Sequence, residues 1–263
     1  LARQHAAALA PLAEAAGVRL VLLTGRDKGA ERAEKLSALA GGEIAILVGT
    51  HAVFQKDVAF RDLRLAIIDE QHRFGVAQRM QLGAKSAAAD VLIMTATPIP
   101  RSLSLAHYGD MDLSVLDEKP PGRTPVTTAL VSAGRMEEVV DSLARAIAEG
   151  RQAYWVCPLV EESESVDMTA AEERFRALRA ALGEGRVGLV HGQMPPAEKD
   201  AAMARFASGA LSVLVATTVI EVGVDVPNAS IMVIERAEAF GLAQLHQLRG
   251  RVGRGAAAST CLL

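Results

Sequence analysis

Short apolar runs alternate along this chain with longer stretches of helix-forming composition, and that alternation restricts the fold more than any other feature. In the first half Val18-Arg19-Leu20-Val21-Leu22-Leu23, Ile44-Ala45-Ile46-Leu47-Val48, Leu65-Ala66-Ile67-Ile68 and Val91-Leu92-Ile93-Met94 read as strands, and residues 1–16, about 29–40 and about 76–83 read as helices. Gly17 and Gly41-Gly42 close the first two helices, where a left-handed residue ends the last turn. Strands joined by helices must run the same way, so the pattern implies a parallel sheet with right-handed crossovers. Leu65-Ala66-Ile67-Ile68 is apolar at every position, as expected of a strand buried on both faces.

Pro120, Pro121, Gly122 and Pro125 cannot share the inside of one element, which places a domain boundary near 116–126. The alternation then resumes, with helices at 135–149, 170–182, 196–207 and 242–249 and strands at 153–157, 186–190, 212–216 and 230–234. Residues 161–169 carry four acids and two serines and read as a solvated loop. The expected domains are residues 1–118 and 119–263.

Composition narrows the class further. Half of the 263 residues are hydrophobic and only 3% are aromatic, which suits helices packed on parallel sheets better than a β-sandwich. A formal net charge of −3 gives no global basic field, so any grip on nucleic acid must come from local loops and helix ends. Cys157 and Cys261 belong to no C-x-x-C or Cys/His cluster, which suggests neither a disulfide framework nor a zinc site and fits a reducing cytoplasm. No apolar run reaches the length of a membrane span, and the N-terminus lacks a signal-peptide pattern. The chain starts inside a helical pattern and stops inside the apolar run Cys261-Leu262-Leu263, as a fragment of a longer parent would.

Chemistry concentrates at the carboxyl ends of the expected strands, where open parallel sheets bind ligands. Asp69-Glu70 is either a polar strand end facing water or a pair in which Asp69 holds Mg²⁺ and Glu70 orients a water toward a phosphate. Gly49-Thr50-His51 and Thr95-Ala96-Thr97-Pro98 are either capped helix starts or phosphate-binding loops. Thr217-Thr218-Val219-Ile220-Glu221-Val222-Gly223-Val224-Asp225 places two hydroxyls and two acids just past a strand. Gln247-Leu248-Arg249-Gly250-Arg251-Val252-Gly253-Arg254-Gly255 interleaves three arginines with glycines, which leaves the guanidinium groups unhindered for bidentate phosphate contacts.

These five segments, in this order and at these separations, resemble the motor core of superfamily 2 helicases and translocases. Finer matches point to one family within it. F-Q-K-D-V at 54–58, D-E-Q-H-R-F-G at 69–75, P-P-G-R-T-P-V at 120–126, G-R-Q-A-Y-W-V-C-P-L at 150–159 and G-L-A-Q-L-H-Q-L-R-G-R-V-G-R-G at 241–255 resemble the RecG family of bacterial DNA helicases. The motor of the transcription-repair coupling factor is similar, but Gln71 and the proline-rich linker favour RecG. A module that binds DNA or protein without hydrolysis is the alternative from another class; it would have no physical need for a general base or arginine fingers.

The resemblance implies an α/β fold of two RecA-like parallel-sheet domains in tandem, the first truncated at its N-terminus. It implies ATP and Mg²⁺ as cofactors, Asp69 as the Mg²⁺ ligand, Glu70 as activator of the hydrolytic water, and Arg251 and Arg254 as arginine fingers donated by the second lobe. Gly223, Asp225 and Gln247 would approach the nucleotide. Gln71, His72, Thr95 and Thr97 would couple ATP to DNA, and Thr50, His51, His191, Gly192, Thr217 and Thr218 would touch the DNA backbone. The implied partners are forked or branched double-stranded DNA and a single-stranded-DNA-binding protein.

The sequence departs from the family's pattern at the phosphate loop, and it also lacks the family's N-terminal DNA-binding wedge and the hairpin that follows the arginine motif. The phosphate loop G-x-x-x-x-G-K-[ST] is absent, and Gly83-Ala84-Lys85-Ser86 does not replace it, since its glycine and lysine are not adjacent and it follows a helical pattern. Hydrolysis is therefore expected of the parent protein and not of these residues alone.

Overall fold

The computed structural model describes residues 1–70, 89–95, 112–118, 123–158, 164–217, 226–255 and 257–263, with the side chains of 164–169 left aside. The chain divides into two compact units, Leu1–Leu113 and Ser114–Leu263. The expected helix near 76–83, the Gly83-to-Ser86 segment and the site residues Gln71, His72, Thr97, Thr218, Gly223 and Asp225 lie outside the described residues.

In the first unit α1 (Ala2–Ala15) leads to β1 (Leu20–Leu23), and α2 (Gly29–Gly41) leads to β2 (Ile46–Gly49), which pairs in parallel with β1. Gly42 ends α2 in the left-handed conformation, its N–H returning to Ala38 O and Leu39 O, a closure that a side chain at that position would strain. β3 (Leu65–Ile68) and β4 (Asp90–Ile93) form a second parallel pair.

β3 corrects the sequence reading. Only Ala66 and Ile68 are buried, against Phe54, whereas Leu65 and Ile67 are 53% and 57% exposed. An unbroken apolar run cannot report how many faces are covered, and here the strand alternates like one buried on a single face.

The second unit is a six-stranded parallel sheet in the order β5-β10-β9-β6-β8-β7. Its strands are β5 (Val126–Ala129), β6 (Gln152–Val156), β7 (Val187–Val190), β8 (Val213–Ala216), β9 (Ala229–Ile234) and β10 (Ser259–Leu262). The helices are α3 (Met136–Ala148), α4 (Glu164–Leu182), α5 (Pro196–Ala207) and α6 (Leu242–Arg249).

Strand periodicity assigns the two faces, because successive side chains point to opposite sides. Tyr154, Val156, Leu214, Ala216, Met232 and Ile234 pack with Phe206 of α5 and Leu248 of α6. Ala153, Trp155, Val213, Val215, Ile231 and Val233 pack with Leu143 and Ile147 of α3 and Leu178 and Leu182 of α4. Both faces are covered, which is why these strands read as continuous apolar runs. Burial also pushes the unpaired thiols of Cys157 and Cys261 up to about 12 and about 11.

Two elements differ from expectation. α4 begins at Glu164, so most of the supposed solvated loop is helix. β5 begins at the end of the expected boundary, 116–126, where the sequence suggested no element before the helix at 135–149. It is a short edge strand containing two threonines, and its pairing with β10 across the sheet edge supplies what its own pattern lacks.

Candidate functional site

The parallel register of β3 and β4 determines what surrounds the acid pair. Ile68 pairs with Ile93, and Met94 N donates to Ile68 O at 2.8 Å, so Asp69 and Glu70 leave one strand beside Met94 and Thr95 leaving the next. Asp69 Oδ1 accepts the Glu70 N–H at 2.9 Å, and Oδ2 lies 3.0 Å from His5 Nε2 on α1. Glu70 adopts φ 54°, one of two non-glycine residues among those described with positive φ. Such a conformation is costly and persists where neighbouring structure over-determines it, commonly at functional sites. Sequence reasoning missed His5, because only the fold brings α1 to this strand end.

Thr50 and His51 follow β2 and are both exposed. Thr50 occupies the cap position of a 3₁₀ turn, His51–Phe54, but makes no side-chain capping bond, so the cap reading does not use its hydroxyl. Gly49 is required sterically: a Cβ there would meet Leu23 O at 2.6 Å and Val53 at 2.2 Å.

In the second unit His191 leaves β7 beside Thr217 leaving β8, since Val190 pairs with Ala216 and Thr217 N donates to Val190 O. Thr217 is buried, its Oγ1 and the Nδ1 of His191 being enclosed without a hydrogen-bond partner among the described residues. Gly192 is exposed, and its carbonyl accepts from Lys199 Nζ.

The arginine segment is a rigid turn. Gln247 is half-buried on the last turn of α6, and Leu248 and Val252 are buried in the core. Arg251 and Arg254 are half-buried, and Arg254 Nε donates to Gly250 O at 3.2 Å. Two of the glycines are also required by packing. Gly253 has φ +77° and would press a Cβ onto Val126 at 2.7 Å, and a Cβ on Gly255 would meet Pro227 O at 2.5 Å. That adds a packing reason to the one inferred from the motif, and Arg251 and Arg254 emerge from one loop.

Residues 1–105 match the DEAD/DEAH box helicase family, and residues 135–256 match the helicase conserved C-terminal domain. Over its full length the chain is 56% identical to the ATP-dependent DNA helicase RecG of Escherichia coli O157:H7 and 50% identical to that of Bacillus subtilis. The chain belongs to the RecG helicase family. It spans 39% of the length of each of these relatives.

A solved structure of RecG bound to a three-way DNA junction superposes on the whole chain with a TM-score of 0.74 at 44% identity, the match covering 34% of that protein. Yeast Dbp5 bound to RNA and ADP BeF3 matches 99% of the chain, and 67% of its own, at TM-score 0.70 and 15% identity. At that identity the likeness speaks for the fold alone. Two tandem RecA-like domains are thus the architecture of this chain, as in its RecG relatives.

The donor set at Asp69 suits Mg²⁺. This ion takes one or two carboxylates and completes its shell with water and substrate phosphates, and Asp69 offers one half-buried carboxylate with Glu70 beside it. Among the described residues there is no cluster of three or more His, Cys, Asp or Glu able to enclose a metal. No described helix is long and apolar enough to cross a membrane.

Proposed function

We propose that this chain is the motor core of an ATP-driven translocase acting on forked and branched double-stranded DNA in the cytoplasm. The observation that carries the reading is the Asp69-Glu70 strand end with its left-handed Glu70, in a chain 56% identical along its length to a RecG helicase. Asp69 would hold Mg²⁺, which would supply charge neutralisation at the nucleotide phosphates. Glu70 orients the attacking water, and its constrained backbone aims the carboxylate without reorganisation during reaction.

Arg251 and Arg254 act on the developing charge of the γ-phosphate, a role that typically contributes about 10³ to 10⁵ in rate. The fixed turn on which they stand suits that role, since stabilisation depends on pre-set geometry. Gly223, Asp225 and Gln247 approach the nucleotide. Thr95, at the neighbouring strand end, transmits its state together with Gln71, His72 and Thr97. Thr50, His51, His191, Gly192 and Thr218 hold the DNA backbone, while Thr217, expected among them, is buried and supports that strand end from inside. The RecG relative bound to a three-way junction supports branched DNA as the substrate, and the family resemblance supports contact with a single-stranded-DNA-binding protein.

The test is Glu70→Gln in the full-length protein. ATP binding is retained, while DNA-stimulated turnover and three-way-junction unwinding are abolished; unchanged turnover overturns the assignment. The 263-residue chain by itself carries no phosphate loop, so it releases no phosphate with DNA, and robust release would refute that expectation.

A further inference from the structure

The arginine turn is reached through the connection between β9 and α6, and that connection is tied down at one residue. Glu235 N makes the ladder bond to Val156 O at 2.9 Å that ends the pairing of β9 with β6. Its carboxylate is gripped from two elements. Oε1 accepts from Trp155 Nε1 of β6 and from Arg174 Nε of α4, and Oε2 accepts from Arg174 Nη2 at 3.2 Å. The Arg174 guanidinium also lies 5.4 Å from the centre of the Trp155 ring, a cation–π arrangement. Trp155 is fully buried, and the Glu235 and Arg174 side chains are 17% and 25% exposed.

Such a cluster is poorly explained as a stabilising device, because an enclosed ion pair can often be replaced by apolar groups without loss. The residue after Glu235 gives the cluster a purpose. Arg236 adopts φ 49° and ψ 54°, the left-handed conformation that a non-glycine residue holds only under external constraint. The constraint comes from both sides, Glu235 before it and the buried Phe240 after it. Beyond Phe240 lies α6, an eight-residue helix with only Leu248 buried. A helix that short has little intrinsic stability, so its direction is determined at its two ends, by Leu248 and Val252 at one and by the tethered connection at the other.

We propose that Glu235 is a positioning residue for the arginine turn. Held by Trp155 and Arg174, it fixes the entry into α6 and so the placement of Gln247, Arg251 and Arg254. The proposal rests on the reading of Arg251 and Arg254 as arginine fingers.

The experiment measures DNA-stimulated ATP hydrolysis by the full-length protein carrying Glu235→Gln, Trp155→Phe or Arg251→Ala, with thermal unfolding of each. Glu235→Gln keeps the shape but weakens the grip of Arg174. Its kcat falls about 10- to 100-fold, the range expected for a small misplacement of catalytic groups, while KM for ATP and the affinity for DNA change less than about two-fold. Trp155→Phe removes the indole donor and trims the buried ring, so the melting midpoint falls and kcat per folded molecule falls about three-fold; it decides the matter if Glu235→Gln fails to fold. An unaltered kcat per folded molecule in the folded variant overturns the positioning role, including when stability drops. Full turnover in Arg251→Ala overturns the underlying arginine-finger reading, whereas its loss together with normal turnover in Glu235→Gln overturns the positioning role alone.

Discussion

His5 Nε2 lies 3.0 Å from Asp69 Oδ2, joining the start of α1 to the acid end of β3 across 64 positions of sequence. The contact orients the carboxylate from outside the site, as partners of metal-binding groups commonly do, and their loss typically weakens metal binding by about 10- to 100-fold. With the His5 side chain 44% exposed, His5→Ala leaves the core untouched. In the full-length protein this substitution is expected to raise the Mg²⁺ concentration for half-maximal ATP turnover by roughly 10-fold, with little change in turnover at saturating Mg²⁺. Superimposable Mg²⁺ titrations would show that His5 has no part in the site.

Gly255 tests whether the arginine turn owes its shape to packing. An added Cβ would stand 2.5 Å from the backbone oxygen of Pro227, which cannot yield as a side chain would. Overpacking of this kind costs about 1–3 kcal/mol. Gly255→Ala is therefore expected to lower the urea midpoint of the chain and to reduce turnover in the full-length protein. Gly250→Ala, whose Cβ would make only ordinary 3.4 Å contacts, is the control and should be close to neutral. Equal behaviour of the two variants would refute the packing explanation.

The elements legible in the sequence were those whose pattern is local. α5 and α6 lie where composition and flanking signals placed them, Pro196 being preset for a first helical turn. β5 was not legible, because an edge strand with threonines is stabilised by β10 and not by its own side chains. The same limit applies to the candidate site. Asp69 and Glu70 stand out as acids ending an apolar run, but the Asp69 contact with His5 and the Trp155–Arg174–Glu235 cluster depend on which elements the fold makes neighbours. Even for Gly253 and Gly255, visible as a motif, the packing role was hidden, since close approach of Val126 and Pro227 cannot be inferred from spacing.

Gln152 is a polar residue inside the second unit, 4% exposed, with Nε2 donating at 2.7 Å to both Phe206 O and Leu211 O. It closes the end of α5 and the approach to β8 onto the first residue of β6. Gln152→Leu matches the size but deprives Leu211 O of its donor, while Phe206 O keeps the Gly209 N–H at 3.1 Å, and an unmet buried polar group costs about 1–3 kcal/mol. Equilibrium unfolding in urea should show a destabilisation of about that size with an unchanged slope. An isoenergetic variant would mean that the Leu211 carbonyl finds another partner.

Asp27 should make the stability of the first unit depend on acid. Lys35 Nζ donates to its Oδ1, and Thr24 N and Oγ1 donate to its Oδ2 at 2.6 and 2.9 Å. The Lys35 hydrogen bond is the main cause that holds the carboxyl down from 3.8 to about 2, against an opposing effect of burial. A carboxyl whose folded pKa lies below its unfolded value stabilises the fold at pH above 3.8, and that contribution fades as pH falls and is gone below about 2. Asp27→Asn should accordingly be less stable than the parent at pH 5, with the gap closing as unfolding is followed from pH 4 down to pH 2. Lys35→Met should show the same convergence, because it removes the partner that depresses the Asp27 pKa. A difference between Asp27→Asn and the parent that stays constant over this window would rule out the ionised Asp27 as its source.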